Sequence, residues 1–411
     1  MNTPSLLGLL ALTCVCAAPL AAQHEEREGA EHGDSGGGRF EAEGYGVINY
    51  YHFAWQTDPN RRDAVDLERF VLESNYKVSK RLQFAAEVEF EHGGTGVTME
   101  FDRFEEFGEY EQEVEKGGEV KVEKLEATFL ISPRFNIRVG HVYVPVGLVS
   151  QADEPDEYFT NTRNESEAAM IPTVWDETGV GFFGQIGRFH YQGLVVTGLD
   201  ATGFSSANWV RLGHQGRFET VNADNFAVVG RLDFDVADET RVGVSAYHGN
   251  SADNRPKPDL QVPANVTIFD AHATAEVGVF RARALVLFGH LQNADQVSDA
   301  NRNLSNNLNV KRTPVGSEAL AWFVEAGANV LGAHSRMPLF LYGRYDWYDT
   351  MYKVTGDVFD NPRWARKAVT TGINWFPDPH FIVKASYSHR TIGLPSNNRE
   401  DTVALGVAAL F

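Results

Sequence analysis

Cysteine is almost absent from this chain. Its 411 residues include two, Cys14 and Cys16, and both lie in the apolar stretch of residues 6–22. That stretch ends in small residues, as secretory signal peptides do. We therefore predict that residues 1–22 are a signal peptide, with a short membrane anchor as the alternative. The rest of the chain has no thiol, which excludes disulfides and cysteine chemistry from the mature protein.

Long apolar runs are missing after residue 22. A transmembrane helix needs about 20 consecutive apolar residues, so a helical membrane bundle is excluded. Positive charge is also scarce, since 36 Lys and Arg stand against 56 Asp and Glu, with a formal net charge of −20. This balance argues against nucleic acid as a partner. Residues 23–42 are rich in Glu, His and Gly without periodicity, and we predict a flexible polar leader there.

Alternation of apolar and polar residues begins near residue 43 and continues to residue 411. In the clearest block, Leu82, Phe84 and Val88 share one face, and Glu87 and Glu89 lie on the other. Such blocks are about ten residues long, the length that a tilted strand needs to cross a bilayer. In a soluble sandwich the apolar face would meet a second sheet. In a membrane barrel it meets lipid, and the charged face meets water.

The connections favour the barrel. We count sixteen blocks, and the links between them alternate between short and long. Short periplasmic turns and long extracellular loops are typical of outer-membrane barrels, and an even strand number places both chain ends on the periplasmic side. We therefore predict that residues 43–411 form an all-β, transmembrane antiparallel β-barrel of about 16 strands. Its location is the cell outer membrane, with outer-membrane lipid around it.

Aromatic residues lie near the ends of several blocks. We expect Tyr51, Phe53, Trp55 and Trp347 to face the membrane interface as part of aromatic girdles. The last block ends at Phe411. A final strand with a terminal aromatic residue resembles the signal that the barrel assembly machinery reads, so we expect that machinery to be a partner.

The third long connection, residues 144–177, has the features of a functional loop. It is longer than ordinary connections, and loops of this length are usually functional or disordered. Its apolar residues Met170, Ile171 and Pro172 would pack on the inner wall if the loop folded into the barrel; a solvated outer loop is the alternative. The predicted constriction-loop residues are Asp153, Glu154, Asp156, Glu157, Arg163 and Glu165.

Four segments carry a family resemblance. They are GHVYVPVG at residues 140–147, IPTVWDETGVG at 171–181, YGRYD at 342–346 and GINWFP at 372–377. Through them the chain resembles the phosphate-selective porin O/P family. The resemblance implies an outer-membrane porin that forms a homotrimer, with phosphate selectivity set by arginines and lysines in the lumen.

The inner face of the predicted barrel mixes both signs of charge. A strong anion filter needs like charges gathered in one ring or wall, which this mixture does not supply. Any one of these charges could also brace the wall in a salt bridge. The predicted pore-lining residues are Arg69, Lys124, Arg138, Arg231, Arg281, Arg283, Arg344, Lys384, Arg390, Glu87, Glu89, Asp233 and Asp346.

We therefore predict a water-filled channel for passive diffusion of small hydrophilic solutes or ions, with phosphate and other anions as candidates. One alternative is a barrel enzyme, but Ser245, His190 and His272 form no recognisable nucleophile motif. The other is a structural or adhesive barrel with a blocked lumen. No cofactor and no metal site is predicted, because no ligand spacing fixes a coordination geometry.

Overall fold

The computed structural model describes residues 39–94, 118–150, 154–215, 221–302, 304 and 312–411. The predicted signal peptide and residues 23–38 of the predicted leader lie outside the described residues. So does Asp153 of the predicted constriction loop. The first strand begins at Phe40, inside the stretch predicted to be leader.

Strands make up most of the described chain. In chain order they are β1 (Phe40–Trp55), β2 (Ala64–Ser79), β3 (Leu82–Glu91), β4 (Glu119–Ser132), β5 (Phe135–Tyr143), β6 (Asp176–Ile186), β7 (Phe189–Thr197), β8 (Phe226–Ala237), β9 (Thr240–Asn250), β10 (Asn265–Val277), β11 (Phe280–Leu291), β12 (Glu318–Asn329), β13 (Leu339–Lys353), β14 (Ala365–Asp378), β15 (Phe381–Ile392) and β16 (Arg399–Leu410). Two short α-helices lie in the long connections, α1 (Glu165–Ala168) and α2 (Ala294–Arg302), together with 3₁₀ turns at Ala201–Gly203, Arg211–Gly213 and Pro362–Trp364.

The sixteen described strands close into one antiparallel barrel, as the sequence predicted. Each strand pairs with its neighbours in the chain, and β1 closes the ring against β16, from Tyr45 opposite Leu410 to Trp55 opposite Glu400. Closure matters in lipid because no water is present there to bond an unpaired strand edge. The predicted all-β fold, an antiparallel barrel of about 16 strands, is therefore confirmed.

The alternation of side chains explains why these segments are strands. In β8, Val228 and Leu232 are exposed on the outer surface, whereas Val229 and Arg231 are buried on the inner one. Short turns then join the strands at one end of the barrel. Gly278 has a φ of +63°, the backbone conformation that favours glycine at the first position of a two-residue hairpin turn.

Long connections gather at the opposite, outer end and fold inwards. Their apolar residues form one large core with the inner wall of β7 to β12. Trp209 is fully buried and lies against Gly289 of β11, whose missing side chain makes room for the indole. Much of the outer half of the barrel on this side is therefore filled by protein.

One part of the aromatic-girdle prediction is wrong. The side chains of Tyr51, Phe53 and Trp55 lie on the inner face of β1. The alternate residues Tyr50, His52 and Ala54 are exposed on the outer face. Trp347 does share the outward positions of β13 with Tyr345, which stacks on Trp322 at 5.1 Å between ring centroids. Among the described residues, neither helix is long and apolar enough to cross a membrane.

A charge placed on the lipid face should test the orientation of the wall. Leu232 is 45% exposed near the middle of β8. We expect Leu232→Arg to lower the free energy of unfolding in phospholipid vesicles by about 2–4 kcal/mol, and Val236→Arg, close to the turn, by roughly 0–1 kcal/mol. Guanidinium titration of both variants measures this. Equal effects at the two positions would contradict the membrane orientation of β8.

Candidate functional site: a loop docked inside the barrel

All predicted pore-lining residues lie on the inner face of the barrel. Their strands are β2 for Arg69, β3 for Glu87 and Glu89, β4 for Lys124, β5 for Arg138, β8 for Arg231 and Asp233, β11 for Arg281 and Arg283, β13 for Arg344 and Asp346, and β15 for Lys384 and Arg390. Most of them are engaged in ion pairs or bind the backbone of a loop. Whether they line an open pathway stays a prediction.

The wall formed by β2, β3 and β4 is a network of opposite charges. Arg69 bonds to Glu89 and lies 3.6 Å from Glu123. Lys124 binds two carboxylates, Glu73 at 2.6 Å and Glu87 at 3.2 Å. Because each of these two cations is shared between carboxylates, neither is a free positive charge that could attract anions.

A second network runs across β11, β12 and β13. Arg283 donates to Glu325 at 2.7 Å, and the other oxygen of Glu325 lies 3.7 Å from Arg344. Arg344 in turn donates to Asp346 at 2.7 Å. These side chains are almost fully buried, so they act as a paired unit and not as separate charges in water.

A third network holds His272 of β10 between two carboxylates. The ring lies 2.6 Å from Asp270 and 2.8 Å from Asp233, and Ser245 donates its hydroxyl to Asp270. Arg231 donates to Asp233 at 2.8 Å. Ser245 thus faces a carboxylate and not the histidine, which is unlike the serine–histidine pair of a hydrolase.

The second and third networks hold the connection of residues 144–150 and 154–175, which we call the lumen loop. Gly147 lies over the third network, where its N–H donates to Asp270 at 2.9 Å and its carbonyl accepts from Arg231 at 2.6 Å. Lys384 of β15 donates to the carbonyls of Tyr158 at 2.7 Å and Thr160 at 3.0 Å. The loop therefore touches walls on different sides of the barrel.

The tip of the lumen loop reaches towards the end of the barrel with the short turns. Phe159 stacks on Tyr342 with 5.2 Å between ring centroids, and Gly327 of β12 leaves space for it. Arg281, the second residue of β11, donates to the carbonyl of Asp156 at 2.8 Å. Both contacts lie next to short turns, far from the outer end where the loop begins.

The predicted packing of the loop's apolar residues is observed. Met170 and Ile171 are fully buried in the core beside Val229 and Tyr247 of the wall, and Pro172 is buried too. The indole of Trp175 lies 4.9 Å from the ring of Tyr247. A solvated outer loop is therefore the wrong alternative for this segment.

The predicted constriction residues of the loop differ in their surroundings. Glu154 and Glu157 are exposed, and Asp156 and Arg163 are partly buried. Although both side chains reach water, desolvation inside the barrel and the neighbouring carboxylate of Asp156 raise the pKa values of Glu154 and Glu157 to about 7. Glu165, at the start of α1, lies 3.3 Å from Arg390. The tip of the loop thus loses negative charge as the pH falls through about 7.

Sequence reasoning missed several members of this site. Glu123 points inwards together with Lys124, because an irregularity in the pairing of β3 with β4 interrupts the alternation. The sequence predicts Asp176 as part of the loop, yet Asp176 begins β6 and binds Lys121 at 2.7 Å and His214 at 3.2 Å. Asp176 lies in the segment 171–181 that carries the family resemblance. Among the described residues, no cluster of three or more His, Cys, Asp or Glu could hold a metal.

Glu167 fixes the two halves of the lumen loop to each other. Its carboxylate accepts from the N–H groups of Leu148 and Val149 at 2.7 and 2.8 Å. Burial raises the pKa of this carboxyl from 4.5 to about 7. The folded state therefore favours the protonated form, and the stability that this group contributes at low pH is lost as the pH rises through 7.

Replacing Glu167 by Gln should remove this pH dependence. We expect the thermal unfolding midpoint in detergent to fall from pH 5 to pH 8 more steeply for the wild type than for Glu167→Gln, which keeps an acceptor oxygen. Glu41→Gln, at an exposed position of β1 away from the loop, is the control. Parallel curves for wild type and Glu167→Gln would show that Glu167 does not titrate in this range.

Comparisons with known proteins support the fold. No protein-family model matches the chain. An uncharacterized protein of Aquifex aeolicus is 26% identical over 353 residues, covering 84% of this chain and 74% of the relative. This relative carries no functional description, so it adds no information on activity.

Solved structures of outer-membrane proteins share the architecture. OmpF of Salmonella typhi, in complex with daunomycin, matches with a TM-score of 0.56 at 10% identity, over 90% of this chain and 97% of OmpF. The outer-membrane channel DcaP of Acinetobacter baumannii matches with 0.54 at 10% identity, over 90% and 97%. An anion-selective porin from Comamonas acidovorans matches with 0.52 at 9% identity, over 90% and 99%. The described residues thus form a sixteen-stranded barrel that shares its fold with outer-membrane porins.

Proposed function

We propose that this protein is an outer-membrane porin, a water-filled channel for passive diffusion of small hydrophilic solutes and ions. The observation that carries the proposal is the charged inner wall with the lumen loop docked across it. A barrel of 16 strands is too wide for its own wall side chains to fill, so the interior is hydrated unless loops block it. The lumen loop narrows this interior, as a constriction loop does.

We place the pathway on one side of the lumen loop. The side of β7 to β12 is filled by the apolar core at the outer end. The other side is bounded by β1 to β4 and β14 to β16, where inner groups such as Glu73 and Lys124 remain partly exposed. Solutes would pass between this wall and the exposed loop carboxylates Glu154 and Glu157.

Passage of phosphate or other anions is implied by the family resemblance and stays a prediction. The arrangement of charges supports a different preference. Among the described residues, most inner cations are bound to carboxylates, whereas Glu154 and Glu157 form no salt bridge within 4 Å and only Glu157 is attracted, at longer range, by Arg283. We therefore propose weak cation preference at high pH. Ionised carboxylates at a constriction attract cations and repel anions.

Several further expectations remain proposals. They are removal of the signal peptide at residue 22, the polar leader, recognition of the strand ending at Phe411 by the assembly machinery, and the homotrimer. The absence of enzyme activity is also a proposal. The buried pairing of Ser245 with Asp270 supports it, since no histidine base accepts from that hydroxyl.

Planar-bilayer recording tests the channel and the constriction together. Refolded protein without residues 1–22 should give discrete conductance steps. Phe159→Ala removes the stacking on Tyr342 and should raise the mean step and its fluctuations, because the loop tip loses an anchor. Phe182→Ala, an aromatic change on the outer face, should leave the steps unchanged. Absence of steps from protein with confirmed folding would contradict the channel.

Ion preference should depend on pH. In a KCl gradient we expect the reversal potential to show cation preference at pH 8 and a smaller preference at pH 6, since Glu154 and Glu157 take up protons near pH 7. The double variant Glu154→Gln, Glu157→Gln should show the smaller value at both pH values. Anion preference at pH 8 would instead support the selectivity that the resemblance implies.

A further inference from the structure

A cavity lies near the outer end of the lumen. Its volume is about 220 Å³, and it lies between β1, β14 to β16 and residues 160–165 of the lumen loop. It is separate from the apolar core on the opposite wall. Its position beside the proposed pathway means that an entering solute would meet it before the tip of the loop.

One side of the cavity is an aromatic strip formed by Tyr51, Phe53 and Trp55. Residues two apart on a strand share a face, so the three rings follow one another along the barrel wall. Ring centroids are 5.9 Å apart for Tyr51 and Phe53 and 5.4 Å apart for Phe53 and Trp55. All three side chains are partly exposed to the cavity and not sealed in a core.

The wall beside the aromatic strip, on the neighbouring strands β16, β15 and β14, is made of short side chains, most of which carry hydroxyl groups. Because they are short, they leave a hollow beside the rings, and their hydroxyls can both donate and accept. The indole N–H of Trp55 already donates to Thr402 at 2.9 Å. These wall residues are Thr370, Ser386, Ser388, Thr402 and Ala404.

The charged groups at the cavity are largely paired with one another. Arg390 donates to Glu400 at 2.5 Å and lies 3.3 Å from Glu165, and its guanidinium stacks on Trp55 at 4.8 Å. Arg61 is exposed and lies over the rings of Phe53 and Trp55 at 4.6 and 4.3 Å. A small anion would therefore compete with carboxylates that Arg390 already holds.

We propose that this cavity binds one neutral sugar ring of an entering saccharide. The apolar C–H face of a sugar would lie on the aromatic strip, whose ring faces are electron-rich. Its hydroxyls would bond to the hydroxyl wall, and the exposed Arg61 would move aside or close over the ring. Sites for drug-sized ligands measure roughly 300–1,000 Å³, so this smaller cavity suits a single ring. The inference rests on the proposed channel function and names a solute class for it.

Calorimetric titration with maltose, a neutral disaccharide of glucose, tests the site in detergent without requiring conductance. We expect saturable binding to the full-length mature chain. Trp55→Ala should weaken it about tenfold, because one stacking partner is lost. Phe183→Ala, an inner-face aromatic on β6 outside the cavity, is the matched control and should bind as the wild type does. Ser388→Leu, which fills the hollow, should abolish binding. This variant replaces Trp55→Ala as the test if Trp55→Ala does not fold.

The outcomes separate this inference from the channel. Three outcomes would each overturn the sugar site. In the first, folded protein binds no maltose; in the second, Trp55→Ala and Ser388→Leu bind maltose as tightly as the wild type does; in the third, inorganic phosphate saturates the site in place of maltose. Conductance steps without maltose binding would leave the porin proposal standing and remove the site. Maltose binding that depends on Trp55, without conductance, would support the site and contradict the channel.

Discussion

The pairing of β1 with β16 is the constraint on which the rest of the structure depends. A strand in lipid must have both edges bonded, because an unpaired backbone group there costs several kcal/mol. Closing the ring in antiparallel order fixes which residues face lipid and which face inwards. It also creates an interior too wide for wall side chains alone. The occupied lumen is therefore a consequence of closure, and the loops determine how much of it stays hydrated.

Charges on the inner wall act mainly as anchors. Arg231 and Lys384 bind loop carbonyls, and Arg344 lies between the second network and Thr160 of the loop at 2.7 Å. Buried charges of this kind are costly unless they are paired and bonded, so they hold the loop in one place. Their contribution to ion selectivity is reduced for the same reason. Among the described residues, few inner cations are therefore left unpaired towards a solute.

The sequence predicts the number of strands and their inward faces because both follow from local alternation of apolar and polar residues. It also predicts the burial of Met170 and Ile171, because they are apolar residues within one loop. Partners could not be predicted, since they depend on register and on contacts between distant segments. The cluster around His272 joins three strands to Gly147. The sequence predicts Tyr51, Phe53 and Trp55 at the membrane interface and not in the lumen, because aromatic side chains suit both environments. The irregularity that turns Glu123 inwards has no marker in the sequence pattern.

The docked position of the lumen loop can be measured by disulfide formation. Ser386 of β15 donates to the side chain of Asn161 at 2.7 Å, and cysteine occurs in this chain only at residues 14 and 16. A variant carrying Asn161→Cys and Ser386→Cys should form an intramolecular disulfide on mild oxidation in outer membranes. Failure to cross-link, with both thiols instead reacting rapidly with a bulky maleimide added from outside, would contradict a loop held within the barrel.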